Sequence, residues 1–295
     1  MDYIVSFLDN LEFEKRYSKR TIVSYQTDIL QFQQYCTSIG IVEKQFLLVD
    51  SKLVRSWVVF LLESGCSNRS VNRKISTLKS FYKYLLRQGY VNVNPLVKVD
   101  SLKINKKLPV FVTQNQIQQL FDVIDFGADF LGCRNKLVIE LFYNTGIRRS
   151  ELINIKCNDI DRINLTLKVL GKRNKERFIP ITLSMIKAID NYMEQQKKEL
   201  DEPSDYLFIT EKGTKMYPNL VYRIVKTALS LVTTLDKRGP HVLRHTFATH
   251  MLNNGAEISA IKELLGHSNL AATQVYTHNT FEKLKKIHKQ AHPRA

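Results

Sequence analysis

Apolar residues recur at three- and four-residue steps through most of this chain, and that period predicts helices. Ile22, Tyr25, Ile29, Phe32 and Cys36 form one stripe behind a capping residue, Ser18. Leu53, Trp57, Val58 and Leu61 form a second. A third runs through Val71, Ile75, Leu78, Tyr82 and Leu85 and stops near Gly89. Residues 1–97 therefore read as a small all-helical domain whose aromatics are core. Residues 98–110 carry no stripe and hold Pro109, so they read as a linker.

A second domain, 111–295, opens with Thr113-x-x-Gln116, a capping box ahead of Ile117, Leu120 and Phe121. A buried helix at roughly 134–144 leads into a Thr-Gly turn. Then the period changes: Leu165, Leu167 and Val169 alternate with polar neighbours, Gly171 to Lys175 turns the chain, and Arg177-Phe-Ile-Pro-Ile181 returns. This predicts a β-hairpin with a basic tip. Helices follow at about 183–198, 217–231, 241–253 and 257–265, with a strongly basic one at 279–290. The expected fold is mainly α with a small antiparallel β-sheet: a helical domain, then an α+β domain.

Charge narrows the partners. The formal net charge is +16 over 295 residues. Residues 1–100 hold 14 Lys and Arg against 9 Asp and Glu, and the remainder 30 against 19, balances of +5 and +11. A surplus spread over both domains favours a polyanion, because each phosphate contact releases counterions. The polar face of the third helix carries Arg69, Arg73, Lys74, Lys79 and Lys83 with no Asp or Glu between them, a candidate phosphate-facing surface.

Other classes lose support. Cys36, Cys66, Cys133 and Cys157 lie far apart and form no C-x-x-C pair, which fits reduced thiols in a cytoplasmic protein. No run approaches the roughly 18 apolar residues of a membrane span, and the first residues do not read as a secretory signal. There is no G-x-x-x-x-G-K-[ST] loop, and the carboxylates near the motifs are scattered, so neither ATP nor a metal pair is expected and no cofactor is required.

Four separated elements carry the chemistry. They are Thr145-Gly-Ile-Arg148-Arg-Ser-Glu151, the basic hairpin tip with Lys172, His241-Val-Leu-Arg244-His245, and Leu-Leu-Gly-His267 followed by Tyr276-Thr-His278. Two arginines can neutralise phosphate oxygens, imidazoles can handle protons near neutral pH, and a phenol becomes a nucleophile only when such neighbours help remove its proton. His241 and Arg244, three apart behind Pro240, share one helix face. Glu151 either orients Arg148 or caps the helix that follows.

With these elements in this order, the chain resembles tyrosine site-specific recombinases of the Xer type, within the phage and transposon integrase family, over its whole length. The resemblance implies an N-terminal core-binding domain and a C-terminal catalytic domain. It implies Arg148 and Arg244 as phosphate clamps, Lys172 as the mobile general acid, His241 and His267 as hydrogen-bond donors or proton shuttles, and Tyr276 as the nucleophile of a 3′-phosphotyrosyl intermediate. Arg173 and Lys175 join Arg69, Arg73, Lys74 and Lys79 as candidate DNA contacts, although Arg173 stands where relatives usually have glycine. Implied partners are double-stranded DNA and a homo- or hetero-tetramer with a related recombinase on two sites, the last helix docking on a neighbour. A DNA translocase is a further candidate. The implied role is resolution of chromosome dimers at cell division. The alternatives are a mobile-element integrase, a type IB topoisomerase-like relaxing enzyme, and a catalytically silent DNA-binding regulator.

Overall fold

The computed structural model describes residues 3–41, 47, 49–104, 110–171, 175–200, 204–266 and 286–294. The chain divides into two compact units, 1–107 and 108–295. It is mainly helical with one small antiparallel sheet, the expected class.

In the first unit, helix α1 (Tyr3–Asp9) runs into a π-helical turn at Asn10–Glu14, followed by α2 (Lys19–Ser38), α3 (Ser51–Glu63) and α4 (Asn68–Arg87). Each of the last three starts where a side-chain oxygen takes an otherwise unpaired amide: Ser18 accepts from Thr21, Asp50 from Leu53 and Ser67 from Ser70. The three stripes meet in one core, with the Phe32 and Trp57 rings 4.9 Å apart and Phe7 edge-on to Phe81 at 5.2 Å.

Two features differ from expectation. Residues 98–104 follow the surface of the first unit and are not a free linker. Val99 is buried, Arg55 donates to the Lys98 carbonyl (2.9 Å), and Asn72 exchanges bonds with Leu102 (2.8 and 2.7 Å). The polar face of α4 is also not uniformly open to a partner. Lys74 is only 6 % exposed, and its Nζ lies 3.0 Å from the carboxylate of Asp28, which is 0 % exposed and also bonded by Arg73 and by Thr77 (2.9 Å). A buried cation requires such a counter-charge, and it came from α2, outside the local sequence window. Lys74 is therefore withdrawn as a phosphate contact. Arg69 and Lys83 remain exposed on that face.

The second unit comprises α5 (Gln114–Asp122), α6 (Phe130–Thr145), α7 (Arg149–Ile153), strands β1 (Ile160–Asp161), β2 (Thr166–Leu170) and β3 (Glu176–Pro180), then α8 (Leu183–Glu199), α9 (Pro218–Ser230), α10 (Pro240–Asn253) and α11 (Ile258–Leu265). The capping box on α5 is formed in both directions. Helix α6 is apolar on nearly every face and packs against α8, α9 and α10. It starts at Phe130, four residues before the predicted start, behind Asp129, whose carboxylate caps Gly132. The sheet has the order β1-β2-β3, with Leu167 opposite Ile179 and Val169 opposite Arg177. Strand β1 was not foreseen, because two residues give no alternation to read. The hairpin tip, 172–174, lies outside the described residues, although Gly171 donates to the Lys175 carbonyl at 2.8 Å.

Of the last helix expected at 279–290, residues 286–290 are described and are helical. They pack on their own unit. His288 and His292, stacked 5.1 Å apart, donate to the Asn144 and Tyr143 carbonyls at 2.8 and 3.1 Å, so two imidazoles satisfy the open end of α6. Burial disfavours the charged form of both rings. It lowers the pKa of His288, and for His292, with the neighbouring His288 adding to it, to about 3. An unfolded histidine takes up its proton near pH 6.5, so this contact is at full strength above that value and weakens as pH falls towards 3. Between pH 7 and pH 5 the 286–291 amides should lose about 2 kcal/mol of hydrogen-exchange protection after correction for intrinsic rates, and His292→Asn should remove most of that dependence. Protection that is constant across this range would contradict the assignment.

Candidate functional site

The site forms where α6, α7, β3, α10 and α11 converge. Helix α6 ends at Gly146, whose φ of +60° is the left-handed conformation that suits glycine. A Cβ there would stand 2.5 Å from Phe247 and 2.7 Å from Leu265, so the close approach also demands glycine. The chain then turns through Ile147 to Arg148, the residue capping α7 in an extended conformation.

Glu151, one turn into α7, is 4 % exposed. Its Oε2 accepts from the Arg148 backbone N–H at 2.7 Å, and its Oε1 accepts from Arg148 Nη1 at 2.6 Å. Both roles considered for this residue, orienting the arginine and capping the helix, are performed by one carboxylate.

Arg244 follows His241 by one turn at the start of α10, with His241 exposed and Arg244 half-buried. Arg244 Nη1 donates to the Gly146 carbonyl at 2.6 Å. The last carbonyls of α11 complete the arrangement. Leu264 O accepts from Arg177 Nε (2.9 Å), Leu265 O from Arg244 Nη2 (2.8 Å), and Gly266 O from Arg148 Nη2 (2.9 Å). Three arginines from three other elements thus converge on the negative end of one helix.

Arg177 is the residue that sequence reading missed. It is 5 % exposed and donates to both oxygens of Glu151, at 3.0 and 2.9 Å. A signal existed: Arg177, Ile179 and Ile181 alternate onto the buried side of the hairpin, and an arginine in that register needs a buried acceptor.

The electrostatic balance is unusual for an interior. Three guanidinium groups gather around one carboxylate that bonds two of them, Arg148 and Arg177, and no other Asp or Glu among the described residues bonds to any of the three. Burial alone would raise the Glu151 pKa, but the bonds and charge of Arg177, then those of Arg148, hold it down to about 2. Burial, with the charge of Arg148 adding to it, pulls Arg244 down to about 10. Arg148 and Arg244 each have further N–H groups beyond those already bonded. Among the described residues the cluster therefore carries surplus positive charge and donors with no acceptor, which suits an anion of phosphate geometry.

Of the other predicted residues, Lys172, Arg173, His267 and Tyr276 lie outside the described residues. Lys175 is exposed at the hairpin base, and Arg149 donates to the Pro218 carbonyl at 3.3 Å. His250, read as structural, is buried with Nδ1 3.0 Å from the Tyr143 hydroxyl. Among the described residues no group of three His, Cys, Asp or Glu is placed to hold a metal ion, and no helix is long and apolar enough to cross a membrane.

Residues 110–283 match the phage integrase family, and residues 4–89 match the phage integrase N-terminal SAM-like domain. The chain is 38 % identical to the tyrosine recombinase XerC of Bacillus licheniformis, over 100 % of this chain and 97 % of that protein. It is 36 % identical to XerC of Chlorobaculum tepidum, over 99 % and 95 % respectively. Among solved structures, it shares its fold with the XerH site-specific recombinase bound to palindromic difH substrate in a post-cleavage complex. That likeness has a TM-score of 0.73 and 22 % identity, over 90 % of this chain and 78 % of that one. The Tn1549 transposon integrase in complex with circular intermediate DNA is similar at a TM-score of 0.72 and 20 % identity, over 96 % and 98 %. The chain belongs to the phage integrase family, as a tyrosine site-specific recombinase.

Proposed function

We propose that Arg148 and Arg244 grip the scissile phosphate of duplex DNA while Tyr276 attacks it. The observation that carries this reading is the pair of guanidinium groups fixed to adjacent carbonyls of α11, at Gly266 and Leu265, immediately before the segment that contains His267 and Tyr276. The Tyr276 hydroxyl oxygen bonds to phosphorus, and the bond to the 5′ oxygen breaks. Lys172 donates a proton to that leaving oxygen, and His241 and His267 hydrogen-bond the phosphate or shuttle the nucleophile's proton. Each phosphodiester is exchanged for a phosphotyrosyl ester of similar energy, and attack by a 5′ hydroxyl of another strand reverses the step. No nucleotide hydrolysis is needed.

Backbone contacts to DNA are assigned to Arg69, Arg73 and Lys79 on α4, with Arg173 and Lys175 at the hairpin. The exposed Lys83 joins them, and the buried Lys74 is left out. We place the protein in the cytoplasm, assembled as a tetramer on two DNA sites, acting alone or with a related recombinase, and resolving chromosome dimers at cell division. The XerC relatives, at 36–38 % identity over nearly the whole chain, support this role over that of a mobile-element integrase. Presence of the complete set Arg148, Lys172, His241, Arg244, His267 and Tyr276 in the sequence argues against a silent regulator.

Two experiments test these roles. On a nicked suicide duplex the protein should form an adduct that survives denaturant. Tyr276→Phe should abolish the adduct and leave DNA affinity within a few-fold of the starting value; a persistent adduct would identify another nucleophile. Lys172→Ala should slow cleavage by about 100-fold or more, and a substrate with a 5′-thiol leaving group should restore most of that loss. An equal deficit on both substrates would remove Lys172 as the acid.

A further inference from the structure

We infer that Arg177 is a positioning residue for strand cleavage, acting through Glu151 and the end of α11 on Arg148. This rests on the reading of Arg148 as a phosphate ligand. Arg177 is buried and three of its N–H directions are taken, by both Glu151 oxygens and by Leu264 O, so it does not meet DNA itself.

Its first effect is on charge. Each Glu151 oxygen takes one bond from Arg177 and one from Arg148: Oε1 from the two Nη1 groups, Oε2 from Arg177 Nη2 and the Arg148 backbone N–H. With Arg177 present, the carboxylate is shared and Arg148 keeps net positive charge to offer an anion. Without Arg177, Glu151 and Arg148 close into a neutral pair, and the clamp weakens although Arg148 is still in place.

Its second effect is on placement. A Cβ built on Gly266 would stand 3.2 Å from Arg177 Nη1, and one on Gly171 would stand 3.7 Å from the same nitrogen. Gly266 directly precedes His267, and Gly171 directly precedes Lys172. One guanidinium group therefore underlies the roots of two segments, one leading to the nucleophile and the other to the general acid. Lysine at 177 keeps a charge but has no planar fork to span both Glu151 oxygens and Leu264 O together.

The test is the rate of adduct formation by the full chain on the nicked suicide duplex. Arg177→Lys should lower the maximal rate about 100-fold, the scale of a displacement near 1 Å, with DNA affinity within about threefold of the unmodified chain. In an Arg148→Ala background the same substitution should cost at least about threefold less, because the share of its effect that passes through Arg148 is already gone. An unchanged rate, or the same 100-fold loss in both backgrounds, would overturn the inference, and so would a loss that lies wholly in DNA affinity. Should Arg177→Lys melt below the assay temperature, Arg177→Gln takes its place, since Arg148 remains to pair the Glu151 carboxylate, with a rate equal to that of the unmodified chain as the overturning result. Failure of the unmodified chain to form any adduct would instead overturn the underlying reading of the site.

Discussion

The carboxylate of Glu151 holds two guanidinium groups at once, and the end of α11 holds both of those and a third. Positive charges do not gather in a protein interior unless fixed acceptors hold them there, and here the acceptors are one side chain, three successive carbonyls at the end of α11 and the Gly146 carbonyl. Every element of the second unit that touches the site is placed by this constraint. Helix α6 must end at Gly146 so that Arg148 can turn inward, α10 must present Arg244 one turn from its start, and β3 must direct an arginine to its buried face.

The same constraint suits the proposed role of the site toward a phosphodiester. A carboxylate paired one-to-one with an arginine is electrically closed. One carboxylate against three arginines is not, and the excess is tolerated because the helix end supplies partial negative charge without neutralising any single group. The donors are held by bonds within the protein, so on the proposed reading little reorganisation is needed as charge develops on phosphorus oxygens. The backbone of Gly266 ties the arginine clamp to the start of the segment that bears Tyr276, so fixing the cations also fixes where that segment departs.

Much of the fold was legible because its signals are local. Ser18 and the Thr113–Gln116 box mark helix starts through bonds spanning three residues, and the apolar stripes of α2, α3 and α4 name their own buried faces. The candidate site was legible as far as it lay in short motifs: Arg148 with Glu151, and His241 with Arg244. What escaped depends on pairing across the chain. Lys74 looked like one of several solvated cations until Asp28 on another helix claimed it. Arg177 looked like a strand residue at a basic hairpin, and only the fold brings it to a glutamate 26 residues earlier. His288 falls in the basic helix expected at 279–290 and His292 beyond it, and nothing in the local pattern shows that both close the end of α6. Charged and polar groups of this kind choose partners by three-dimensional proximity, which periodicity does not encode.

On the proposed reading, Arg148 and Arg244 act together on one phosphate. A crystal structure of the covalent complex trapped on a nicked suicide duplex measures this directly. The account predicts nitrogen–oxygen distances of about 3 Å from both guanidinium groups to non-bridging oxygens of the phosphotyrosyl group at Tyr276, with Arg148 still bonded to Glu151. A phosphotyrosyl group at another residue, or one that either arginine fails to reach, would contradict it.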